Sequence, residues 1–110
     1  MSELETYNVA QDFSPNPIAR YARQSQFSGE VFRRNVLEPR LKRKEKFILD
    51  FSGTSGAGSS FLEEAFAGLI RIGYSKTEVL ESIEIIWPLG KKSYAEELNL
   101  YLDRAGESKS

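Results

Sequence analysis

The chain has 110 residues, 40% of them hydrophobic and 28% charged, with a formal net charge of −1, the profile of one modest globular domain with a real core. It holds no cysteine, which excludes a disulfide scaffold and a thiol nucleophile, and no histidine, which excludes the usual zinc sites and histidine-based acid–base catalysis. No apolar stretch approaches the ~20 residues of a membrane helix, and the opening MSELETYNV lacks the basic region and apolar core of a signal peptide, so the expected location is cytoplasmic.

In chain order, residues 1–3 are expected to fray, and residues 4–10, LETYNVA, alternate loosely enough to predict a first strand. Residues 12–18, DFSPNPI, are turn-rich, and their two prolines forbid a central strand. Residues 20–25, RYARQS, read as a short second strand pairing back on the first. A helix is predicted from Ser28, a favourable N-cap, to about Lys44, burying Val31, Phe32, Val36, Leu37 and Leu41. Pro39 should kink or break it, because proline has no backbone N–H to donate. Phe47, Ile48, Leu49 and Phe51 make a short apolar strand interrupted by Asp50.

A flexible loop with Gly53, Gly56 and Gly58 follows. Ser60 and Glu63 then stand at capping-box spacing, ahead of a helix whose apolar stripe is Phe61, Leu62, Ala65, Phe66, Leu69 and Ile70. Gly73 is its expected C-cap. Ser75 with Glu78 repeats the capping-box spacing and starts a short helix, SKTEVLESI. Residues 83–87, IEIIW, form the next strand, ended by Pro88. A last helix covers about residues 92–104, with Tyr94, Leu98, Leu100 and Tyr101 apolar, and residues 106–110 read as a loose tail.

The order is β(β)αβααβα, an α/β class in which crossover helices imply a mixed or parallel sheet. Helices would cover mainly one face, leaving the other for an interaction surface or a homodimer contact. One domain is expected over residues 1–110, with an ordered core from about residue 5 to about residue 105.

The segment from Lys46 to Ile72 is the natural place for function, since ligands and partners commonly meet α/β folds at strand–loop–helix junctions. GTSGAGSSF ahead of a helix invites a phosphate-binding reading, but it matches neither nucleotide pattern and carries no lysine. The plainer reading is a tight turn presenting Ser59 and Ser60. Ser60 could cap the helix; either serine could be a nucleophile, though no histidine or lysine lies nearby to activate it; or either could be a phosphorylation switch, its added charge tolerated at a helix start. Asp50 could face the loop and accept backbone hydrogen bonds, or mark a polar pocket shared with Arg20, Tyr21, Glu30 and Arg33. A basic run of Arg33, Arg34, Arg40, Lys42, Arg43, Lys44 and Lys46 faces only Glu38 and Glu45. It reads either as the solvated end of a helix or as a patch for a phosphate backbone, chiefly through Arg40, Lys42, Arg43 and Lys44.

Three blocks resemble the bacterial STAS-like domain family of unknown function, itself distantly similar to STAS domains and anti-sigma factor antagonists. They are Arg20-Tyr21 ahead of Ser28-Gly29-Glu30; Phe32-Arg33 with Leu37, Pro39 and Leu41; and Asp50 and Gly53 with Gly58-Ser59-Ser60-Phe61-Leu62-Glu63-Glu64-Ala65-Phe66. The similarity spans roughly residues 7–87. It implies a small STAS-like domain with a mixed sheet and a regulatory role in binding a protein partner. The partner implied is a histidine-kinase-like ATPase or an anti-sigma-type regulator. In antagonists of this fold, a serine at the start of the helix after a core strand is phosphorylated by such an ATPase, and the dephosphorylated form binds it. Carried over by position, Ser59 or Ser60 would be that serine, and Gly56, Gly58, Glu63, Glu64 and Ala67 around it would touch the partner. The chain departs from the antagonist pattern at Gly58, where an acidic residue usually precedes the serines, and at Phe61, where glycine usually follows. Phe61 is expected to point into the core. The resemblance offers no enzyme chemistry, in agreement with the missing histidine and cysteine, and no cofactor or metal is expected; the competing function is a nucleic-acid-associated regulator using the basic run.

Overall fold

The computed structural model describes residues 4–88 and 93–109; the expected fraying of residues 1–3 and a helix start at Lys92 lie outside them. Among the described residues a three-stranded sheet runs in the order β1 (Glu5–Asn8), β2 (Phe47–Asp50), β3 (Ile83–Ile86), with both pairings parallel. The register stacks Glu5, Phe47 and Ile83 in one row and Tyr7, Leu49 and Ile85 two residues on. Phe47, Leu49 and Ile83 are buried, with Tyr7 and Ile85 packed against the core. The intervening rows, Thr6–Ile48–Glu84 and Asn8–Asp50–Ile86, form the other, more open face. This alternation follows from the two-residue side-chain period of a strand. No antiparallel pair is present among the described residues, so the mixed sheet expected above is a parallel one.

The expected strand over residues 20–25 is instead a set of turns. The Tyr21 carbonyl accepts from the Gln24 and Ser25 N–H groups, while Ala19 and Arg20 carbonyls accept from Gly29 and Glu30. Carbonyls committed to turns and to a helix N-terminus are lost to a ladder. β1 ends earlier than expected because Asn8 turns the chain into one helical turn, α1 (Val9–Asp12): its side chain accepts from the Gln11 N–H at 3.0 Å, and its own N–H donates to Asp12.

The second helix, α2, is continuous over residues 29–42: an α segment (Gly29–Phe32), a π segment (Arg33–Leu37) and a second α segment (Glu38–Lys42). Ser28 caps it as expected, accepting from Val31 N–H at 3.2 Å. Pro39 neither ends nor breaks it. The wider π turn just upstream shifts the carbonyls that the proline ring would otherwise strike. Helix α3 spans residues 59–71 and also holds a π segment, Glu63–Ala67. Gly73, at φ 124°, terminates it, with the Tyr74 N–H returning to the Leu69 carbonyl. Helix α4 (Lys76–Ser82) carries the full Ser75–Glu78 capping box. Helix α5 (Ser93–Lys109) takes in residues 106–109 of the expected loose tail, whose last residue lies outside the described ones. Leu98, Leu102 and Ala105 are its buried side, whereas Leu100 is exposed.

The expected stripe of α3 is all in the core, Phe61 included. Phe32 is the hub of an aromatic cluster, its ring centroid 4.9 Å from Phe13, 5.3 Å from Phe61 and 6.3 Å from Phe51. Phe51 stacks on Trp87 at 5.1 Å, and Trp87 meets Tyr94 of α5 at 5.3 Å. No described helix is long and apolar enough to cross a membrane.

Candidate functional site

The glycine loop, residues 51–58, leaves the C-terminal end of the central strand and delivers the chain to α3. Its entry is fastened by Asp50, whose carboxylate accepts from both the backbone N–H and the hydroxyl of Ser52. The middle is folded on itself: Thr54 donates its hydroxyl to the Phe51 carbonyl and accepts from the Gly56 N–H. Gly56 is required twice over. Its φ of 113° disfavours any side chain, and a β-carbon there would collide with the Tyr94 hydroxyl.

The loop's outer side is held by residues 13–28, which wrap over the N-terminal ends of both α2 and α3. The Pro15 carbonyl accepts from the Ser55 N–H at 2.9 Å, and the Pro17 carbonyl from the Gly58 N–H at 3.1 Å. Ala19 and Arg20 carbonyls serve α2 in the same way. A β-carbon on Gly58 would lie 3.2 Å from the Ile18 carbonyl oxygen, so glycine lets the wrap approach here.

Helix α3 opens differently from the expected capping box. Gly58 is the N-cap, with no side-chain cap hydrogen bond, and Ser59 and Ser60 are the first two helical residues. Ser60 therefore does not cap, and neither serine hydroxyl has a hydrogen bond among the described residues. Ser59 is exposed and Ser60 half-buried. Glu63, the expected partner of that cap, turns instead to arginines: Arg20 of the wrap donates to its Oε1, and Arg71, two turns along α3, to its Oε2 at 2.7 Å. Hydrogen bonds from Arg71 and then Arg20 hold the Glu63 carboxyl below its ordinary value, against the opposing effect of burial.

Glu64 faces α2. Arg33 Nη1 donates to its carboxylate and to its backbone carbonyl, both at 2.7 Å, while Arg33 Nε donates to Glu38 at 3.2 Å. Arg33 comes from the π segment of one helix and Glu64 from that of the other; a π turn leaves backbone groups open to such outside partners. The chain Arg71–Glu63–Arg20–Glu64–Arg33–Glu38 thus ties the wrap, α2 and α3 into one ionic ladder. Arg71 was not singled out in the sequence, and Glu38 only as an acid beside the basic run. Arg71, eight residues from Glu63 on the same helix, was legible there, while the pairing with Arg20 was not.

Two expected groupings are corrected. Ala67 is fully buried in the core, so it cannot offer a contact surface. The polar pocket divides: Arg20 and Arg33 share Glu64, and Tyr21 and Glu30 line a cavity with Arg23, but Asp50 bonds Ser52 at the loop entrance. Gly56 is buried behind Tyr94, and Gly58 lies partly under Ile18.

The basic run is largely spent on acids. Arg33 pairs with Glu38 and Glu64, Arg34 with Glu30, Arg40 with Glu5, and Arg43 with Glu45. Arg40 also lies over the Tyr7 and Phe47 rings, at 5.1 and 5.6 Å from their centroids. Lys42, Lys44 and Lys46 remain exposed without an ion pair among the described residues, and Lys44 adopts a left-handed φ of 58° where α2 ends. No cluster of three or more His, Cys, Asp or Glu residues suited to a metal occurs among the described residues.

The family model described as a STAS-like domain of unknown function matches residues 28–87. That stretch runs from the Ser28 cap through β2, the glycine loop, α3 and α4 to the end of β3, leaving β1, most of the wrap and α5 outside. The Arg20-Tyr21 block therefore lies beyond the match. No curated protein and no solved structure matches the chain.

Proposed function

The chain belongs to the STAS-like domain family of unknown function, and from that membership we propose a small regulatory domain that binds a partner protein at the start of α3. STAS-like domains are non-catalytic regulatory modules, so no reaction is assigned to the chain. The observation that carries the reading is the pair of serines behind a glycine cap: Ser59 and Ser60 occupy the first turn of α3 with their hydroxyls unengaged, and Ser59 is exposed. A phosphate on either would meet the free N–H groups of a helix start and would change the local charge by about −2. Arg20 and Arg71, already gathered one turn away on Glu63, supply compensating positive charge. The partner surface in this reading comprises Ser59, Ser60, the outer edges of Glu63 and Glu64, and the exposed part of the glycine loop (Ser52, Gly53 and Ser55) beside the buried Gly56 and half-buried Gly58. The partner class is a histidine-kinase-like ATPase or anti-sigma-type regulator, bound by the unphosphorylated domain.

The test is affinity capture of partners by the purified protein from its native lysate, with and without ATP, read by mass spectrometry for partner and phosphoserine. Recovery of an ATPase-fold protein with phosphate on Ser59 or Ser60 supports the whole reading. The same partner without phosphate keeps the interaction and removes the switch. Salt-sensitive nucleic acid alone would move the function to Lys42, Lys44 and Lys46 and refute the reading.

A further inference from the structure

The wrap over the two helix starts carries features that neither its turns nor its capping role requires. Ile18, Tyr21 and Phe27 are 65%, 39% and 40% exposed, and all three lie on this one segment. Phe27 is steadied by an edge-to-face contact with Phe13 at 5.7 Å. The Arg23 guanidinium sits over the Tyr21 ring at 5.0 Å, and Tyr21, Arg23 and Glu30 line a cavity of about 370 Å³. Glu30 is already engaged, accepting from the Ala22 N–H at 2.8 Å and pairing with Arg34 at 3.0 Å. Arg23 has no ion pair and no hydrogen bond among the described residues. Its donors are therefore not committed to a hydrogen bond, and the guanidinium lies within cation–π distance of the ring, near enough to Glu30 to help the Ala22 N–H hold that carboxyl below its ordinary value. Between Asp12 and Glu30 the chain contains no acidic residue, but it contains Arg20 and Arg23.

We propose that the wrap, through its exposed Ile18, Tyr21, Arg23 and Phe27, is the docking segment for an acidic stretch of the partner protein, with one carboxylate entering the Tyr21–Arg23 cavity. The proposal rests on the partner-binding reading and names the chemistry of its partner. A guanidinium with uncommitted donors, resting beside an aromatic ring, offers a planar fork that fits a carboxylate with two parallel hydrogen bonds. Exposed aromatic and arginine side chains beside an apolar flank are the residue types that dominate interface energetics. The surface is continuous with the start of α3: Ile18 backs onto Gly58, and Arg20 bonds Glu63 one turn from Ser60.

The experiment selects binders from a random displayed peptide library on the folded protein. Affinities of the enriched peptides are then measured by fluorescence anisotropy on wild type, Tyr21→Ala, Arg23→Glu, Arg23→Lys and the double variant Ser59→Glu/Ser60→Glu. Thermal melts establish that each variant is folded. The expected peptides are acidic with at least one large apolar residue, and Tyr21→Ala and Arg23→Glu should weaken them by about tenfold or more. Arg23→Lys should recover only part of the loss, because an ammonium keeps the charge without the fork. Enriched peptides without acid, or affinities indifferent to Arg23→Glu, would overturn the proposal. Loss on the serine double variant without loss on Arg23→Glu leaves the α3 surface standing and refutes the acid-receiving wrap. Indifference to both, or no enrichment at all, refutes both.

Discussion

Gly29→Ala should be among the most damaging one-carbon additions to this protein. Gly29 is the first residue of α2, where that helix crosses α3, and a β-carbon there would fall deep inside contact distance of the Phe61 carbonyl oxygen. It would also lie 3.1 Å from Glu64 Cβ and 3.2 Å from the Ala65 nitrogen. Backbone cannot swing aside as a flexible side chain does, so the two helices would have to separate by roughly an ångström, forfeiting a quarter to a half of the local dispersion energy. Overpacking of this kind costs about 1–3 kcal/mol. Alanine's better helix propensity returns at most about 1 kcal/mol, and less at a first-turn position. The net expectation is a loss of about 1–2 kcal/mol, which in a domain of this size lowers Tm by roughly 5–10 °C. Urea denaturation and thermal melts of Gly29→Ala measure it. Gly106→Ala is the control: Gly106 lies in α5 with nothing within 4 Å of an added β-carbon, so that variant should gain up to about 1 kcal/mol. A Gly29→Ala protein as stable as wild type would refute the close backbone crossing on which the placement of α3 rests.

The Arg33–Glu64 pair should respond asymmetrically. Glu64→Leu strands a buried guanidinium with only Glu38 and one carbonyl, and should cost about 3 kcal/mol; Arg33→Met leaves Glu64 beside Arg20 and Arg71 and should cost about 1 kcal/mol. The urea midpoints of the two variants decide this, and the reverse order would sink the argument. Acid should loosen the wrap. Glu63 is held below the ordinary 4.5 by Arg71 and Arg20, so its contribution is present above about pH 4.5 and fades as pH falls through the depressed folded value. Melts recorded from about pH 7 to pH 3 should fall less steeply for Glu63→Gln than for wild type; parallel slopes would show that the ladder carries no linkage.

Much of this architecture is local and was therefore readable. Ser28 and Ser75 declare helix starts because a hydroxyl reaches a backbone N–H only two or three residues on, and Gly73 ends α3 because its left-handed φ is a property of one residue. The stripe from Phe61 to Ile70 points inward because helical periodicity allows it only one face, and STAS-like membership was legible in the Gly58–Phe66 block itself. What failed were the readings in which two local options competed. Ser60 lost the cap because Gly58, pinned by the Pro17 carbonyl, lets the helix begin two residues earlier, and distant arginines then claimed Glu63. Pro39 was accommodated by a π turn whose Arg33, Val36 and Leu37 are buried. Arg20 and Glu63 are 43 residues apart, and no spacing rule relates them. The residue types along each element therefore came from the chain alone, through short-range hydrogen bonding and periodicity. The wrap, the helix crossing at Gly29, and the ionic ladder were decided only by tertiary structure, because each depends on which distant groups satisfy charges and backbone dipoles once water has been excluded.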